Sequence, residues 1–113
     1  MMTLHYTGGA VMMADDVAEA VLHYARELAA TQRSDVLIVP VVDAAGILTT
    51  AEFLIGPASQ LLAIPVDGAT ERGRDQNVID DIDRRTQSLR PPAAGTRRFV
   101  GPDLDQDLDL SAP

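Results

Sequence analysis

Cysteine, tryptophan and lysine are missing from this 113-residue chain, which has only two tyrosines and two phenylalanines. Without cysteine there are no disulfides, no thiolate nucleophiles and no cysteine-ligated zinc or iron–sulfur centres. Aromatic residues make up 4% of the chain, so the core must be assembled from Val, Ile, Leu, Ala and Met. The same scarcity removes the stacking platforms on which proteins hold single-stranded nucleic acid. Positive charge is also short: nine arginines face thirteen Asp and four Glu, giving a net charge of -8. An anionic surface repels phosphate backbones and anionic membranes, so neither nucleic acid nor membrane is expected as a partner. The excess of Arg over Lys and of Asp over Glu is the bias of a GC-rich, bacterial coding sequence. No basic segment leads into an apolar run near the N-terminus, and the longest apolar stretch, Val36 to Val42, falls far short of the ~20 residues that span a bilayer. A soluble, cytoplasmic chain is expected.

What is present is a nearly continuous apolar stretch from Val36 to Val66, broken by Asp43-Ala44-Ala45-Gly46 and Gly56-Pro57-Ala58-Ser59. It reads as three antiparallel strands, roughly 35–42, 47–55 and 61–66. Asp43 first and Gly46 last suit a type I turn closed by a left-handed residue. Upstream, Gly8-Gly9 joins two short runs, Thr3–Thr7 and Ala10–Met13, as a hairpin. Its register puts Leu4, Tyr6, Val11 and Met13 on one face and His5 and Met12 on the other. Between hairpin and meander, apolar residues recur at helical spacing from Val17 to Ala29, predicting a helix over 16–32 with Asp16 as its cap. A second helix is predicted over 75–89, its stripe formed by Val78, Ile79, Ile82 and Leu89 and its end set by Arg90-Pro91-Pro92. One α+β domain over 1–90 is expected, followed by a flexible acidic tail over 91–113.

The order hairpin, helix, three-stranded meander, helix resembles that of the profilin-like and roadblock-like domains. The resemblance covers about 90 residues and lies in element order alone. It implies a five-stranded antiparallel sheet with helices against it, and it transfers no functional residue.

Candidate chemistry is sparse. His23 lies one helical turn from Glu19 and Glu27, and reads as part of a solvated helix face. Ser59 lacks an elbow pattern and reads as a turn-capping hydroxyl. Asp80 and Asp81 each precede an arginine by four residues, Arg84 and Arg85, which is the spacing of helix-surface ion pairs. Asp103, Asp105 and Asp107 mimic the start of a calcium loop, but Leu108 stands where that loop needs glycine. No metal is expected on these acidic groups, and no cofactor either, since no phosphate-cradling glycine loop opens a helix to hold a nucleotide.

The leading expectation is a non-catalytic interaction module that homodimerises through an apolar edge strand formed by Val36, Leu37, Ile38, Val39, Pro40, Val41 and Val42. Apolar side chains fall on both faces of this strand, and Pro40 cannot donate to a ladder, which places it at an edge or a bulge. The rival expectation is a ligand-binding protein or enzyme with its site on the open sheet face near His5, Tyr6 and Glu52. A third is an adaptor that captures an unknown protein partner through the acidic-leucine segment 103–110.

Overall fold

The computed structural model describes residues 1–90, in seven elements. They are β1 (Met2–Tyr6), β2 (Gly9–Met13), α1 (Asp15–Thr31), β3 (Asp35–Val42), β4 (Leu48–Ile55), β5 (Leu62–Pro65) and α2 (Gln76–Leu89). The five strands form one antiparallel sheet with two helices, the α+β class expected.

Each boundary has a local cause. Helix α1 starts one residue earlier than its pattern suggested: Ala14 is the cap residue and offers no side-chain bond, while Asp15 and Asp16 occupy the first turn and suit the helix dipole. The capping role expected of Asp16 is therefore corrected. Its carboxylate instead meets Arg74 at 2.8 Å. The helix ends at Gln32 in the left-handed region, φ 54°, so that the Arg33 N–H reaches back to the Leu28 carbonyl at 2.9 Å. Helix α2 starts one residue later than expected, with Asp75 as its cap, the carboxylate accepting from the N–H groups of Asn77 and Val78 at 3.0 and 3.3 Å. In the β3–β4 turn Gly46 has φ 80°, and the Asp43 carbonyl and carboxylate take the N–H groups of residues 45 to 47.

The strand order is β4-β3-β2-β1-β5. The third strand of the meander leaves the second: β5 pairs with β1, setting Ala63 beside Leu4 and Leu62 beside His5. The connection from Ile55 to Leu62 exceeds the two to five residues typical of a hairpin loop, and it carries the chain to the opposite edge. Tyr6 of β1 and Phe53 of β4 nonetheless stack with ring centroids 6.4 Å apart, although three strand spacings separate their strands in the order. The sheet must therefore curl strongly, with both rings on its inner face.

That inner face holds the core. Leu4, Met13, Leu37, Val39, Val41 and Ile55 pack with Val17, Val21, Tyr24 and Leu28 of α1 and with Ile79 and Ile82 of α2. Alternation then sends Val36, Ile38, Pro40 and Val42, together with Leu48, Thr50, Glu52 and Leu54, to the outer face. The connector to α2 passes one end of that face, where Gly73 lies so close to Leu48 and Pro40 that a Cβ would come within 2.9 Å of Leu48 Cδ1.

Candidate functional site

The β3–β4 hairpin carries the most exposed apolar surface of the described residues. Leu54 is 68% and Ile38 61% exposed, and Val36 and Leu48 are close to half exposed. Val36 faces Leu54 directly across the two strands, and Val42 faces Leu48. Glu52, opposite Ile38, is the one charged side chain on this outer surface of the hairpin.

The sheet has two edge strands, β4 and β5, and backbone geometry fixes which peptide groups β4 turns outward. The Asp43 N–H bonds the Ile47 carbonyl at 3.0 Å, so the alternation of an antiparallel ladder makes 41/49, 39/51, 37/53 and 35/55 the bonded pairs. Pro40 therefore sits in a non-bonded pair with Thr50, where its missing N–H costs the hairpin nothing. The even-numbered residues turn their peptide groups outward: Val36, Ile38, Pro40 and Val42 away from β4, and Leu48, Thr50, Glu52 and Leu54 into open space beyond the sheet. Among the described residues, no hydrogen bond outside the hairpin reaches the outward groups of β4.

The expected position of Val36–Val42 needs correction here. This strand is not the outermost one, since β3 lies between β4 and β2, and Leu37, Val39 and Val41 are buried. Its pairing with β2 is nevertheless confined to Met12 and Val42, because the chain of β2 turns into α1 beyond Met13. The far side of residues 36–40 has no strand partner, and α2 takes that place. A groove of about 310 Å³ runs between them, lined by Val36, Leu37, Ile38, Asn77, Val78, Asp81, Ile82 and Arg85.

A polar cluster fastens α2 beside that groove. Asp35 accepts from the Tyr24 hydroxyl, from Arg85 at 2.9 Å and from the Val36 N–H at 2.8 Å. Arg85 also meets Asp81 at 3.1 Å and reaches the Val36 carbonyl. Burial, reinforced by the Asp35 carboxylate, pushes the Tyr24 phenol up to about 12. The hydrogen bond from Tyr24, with those from Val36 and Arg85, holds Asp35 below the ordinary aspartate range. Burial opposes the charge on Arg85, but Asp81 and Asp35 outweigh it and raise its pKa. Tyr24 thus keeps its proton and Asp35 its charge across neutral pH, and their bonds with Arg85 clamp α1, β3 and α2 together.

The other candidates are dispersed. His5 and Tyr6 line a wide, shallow depression of about 420 Å³ with Thr7, Gln60, Leu61 and Leu62. Tyr6 also borders an adjoining cavity of about 280 Å³ with Phe53, Leu54 and Ser59. Glu52 belongs to neither, and His5 and Tyr6 point to opposite faces of β1. No ion pair joins His23 to Glu19 or Glu27 among the described residues. Ser59 caps its turn by accepting from the Gly56 N–H at 3.0 Å. Asp81 pairs with both Arg84 and Arg85, whereas Asp80 accepts from Gln76. The described residues contain no group of three or more His, Asp or Glu able to hold a metal ion, and none of their helices is long and apolar enough to cross a membrane. The 103–110 segment lies outside the described residues.

Two features escaped the sequence reading: the free edge of β4 and the Tyr24–Asp35–Arg85 cluster. Both depend on contacts distant in sequence, Arg85 and Asp35 being 50 residues apart. Only the lack of proline and glycine from Leu48 to Ile55 hinted at the first. No protein-family model matches this chain, and no curated protein or solved structure matches it.

Proposed function

We propose that the chain is a non-catalytic interaction module that homodimerises through the β3–β4 hairpin. The observation that carries this reading is the coincidence, on one hairpin, of an eight-residue outer strand with no strand partner on its far side and four exposed aliphatic side chains. Such an edge is a template for another strand, and natural sheets usually blunt it with proline, lysine or a bulge. Here Glu52 is the only charge on the strand.

Light scattering after size exclusion tests the proposal. The wild-type chain should run as a dimer at micromolar concentration, and Leu54→Arg, at an exposed position, should run as a folded monomer. A strictly monomeric wild type removes the reading. A second reading, a small-ligand site at the His5–Tyr6 rim, is supported by the two adjoining cavities that share Tyr6, Thr7, Gln60 and Leu61.

A further inference from the structure

The hairpin can meet a second copy in two ways: outer face stacked on outer face, or β4 edge against β4 edge. Glu52 distinguishes them. Stacking would carry its exposed carboxylate into a dry layer with no cation on the hairpin to meet it, so the charge would lose its hydration and gain no partner. Edge pairing leaves the carboxylate in water and satisfies the outward peptide groups of Leu48, Thr50, Glu52 and Leu54.

Two-fold symmetry restricts the register. Antiparallel pairing of β4 with its own copy must match outward-turned residues, all even-numbered, so the axis passes through a pair of identical residues. An axis at Glu52 sets two carboxylates directly opposite one another, which is destabilising. An axis at Thr50 opposes Leu48 to Glu52 of the second copy and runs Leu54 past the strand into the turn at Gly46. An axis at Ala51 sets Leu48 opposite Leu54, Thr50 opposite Glu52 and Thr49 opposite Phe53. It joins aliphatic to aliphatic and a hydroxyl donor to the carboxylate along the whole strand, with about eight new N–H···O bonds.

We infer that two copies join β4 to β4 with Ala51 on the two-fold axis, producing one continuous ten-stranded antiparallel sheet. This rests on the homodimer reading above and specifies its geometry. The outer aliphatic side chains of the two hairpins then meet across the axis, Leu48 of each against Leu54 of the other.

The absence of cysteine makes the test clean, because any introduced thiol is the only one. At Ala51 the two copies form a non-hydrogen-bonded pair with Cα atoms roughly 4.5 Å apart, within disulfide reach. Ala51→Cys, oxidised mildly as the full chain, should give a covalent dimer on a non-reducing gel, whereas Thr50→Cys alone should not. Mixing Thr50→Cys with Glu52→Cys should yield the mixed 50–52 disulfide, a result that stands even if Ala51→Cys misfolds. Light scattering on the wild type separates the two levels of failure. A wild-type monomer overturns the homodimer reading and the register with it. A wild-type dimer in which neither Ala51→Cys nor the mixture cross-links, or in which Thr50→Cys cross-links to itself, overturns the register alone.

Discussion

Replacing Tyr24 with Phe removes one oxygen and leaves the buried ring in place, so it isolates the clamp that joins α1, β3 and α2. At pH 7 the lost interaction is a hydrogen bond to a charged acceptor, of a kind worth roughly 1.5–3 kcal/mol. Asp35 keeps its bonds to Arg85 and the Val36 N–H and is about one third exposed, which puts the expected loss at the low end, about 1–2 kcal/mol. The pH dependence is more diagnostic. The folded phenol titrates near 12 and the unfolded one near 10.0, so above pH 10 the unfolded chain sheds a proton that the folded chain retains. Stability from this group is therefore fully present below pH 10 and is lost as pH rises to about 12. At ~1.4 kcal/mol per tenfold change, the loss reaches at most roughly 3 kcal/mol. Arg85 stays charged throughout, its pKa being raised. Urea unfolding followed by circular dichroism at several pH values, for wild type and Tyr24→Phe, should show the wild type ahead at pH 7. The two curves should converge above pH 10 and cross before pH 12. A gap that stays constant from neutral to pH 12, or no gap at pH 7, would refute the argument that Tyr24 holds a protonated, energetically coupled bond to Asp35.

Two further outcomes follow from the same frame. Asp35→Asn should cost about 1–3 kcal/mol at neutral pH. Because the folded Asp35 pKa lies below 3.8, its contribution is present above that value and lost as pH falls through the lower folded pKa, so the gap between wild type and variant should narrow in acid urea titrations below pH 4. Asp75→Ala, which frees the N–H groups of Asn77 and Val78, should lower stability by about 1 kcal/mol, read as a reduced urea midpoint at unchanged slope.

The candidate site was half legible. Of the seven residues expected to form an apolar edge, Val36 and Ile38 are exposed, whereas Leu37, Val39, Val41 and Val42 are buried. Glu52 and His5 were placed on one face, and the ladders put them there, but Tyr6 belongs to the inner face and stacks on Phe53. Alternation within a strand is local and can be read from sequence. Which side of a strand finds a partner is not local. Pro40 correctly signalled a peptide edge without a ladder on one side of β3, yet the element filling that side is α2, more than thirty residues downstream.

The sequence by itself determined the element types and their turns. Helical and strand periodicities and the Asp43–Gly46 turn are set by side-chain spacing and by backbone angles that only some residues accept, whereas the first hairpin turns at Thr7-Gly8 and not at the expected Gly8-Gly9, Gly9 pairing with Tyr6 in the ladder. Tertiary structure decided the strand order, the capture of β5 by β1 and the placing of β4 at one outer edge. Every antiparallel strand offers the same peptide groups to any neighbour, so pairing is chosen by how the buried faces pack together, which no single segment encodes.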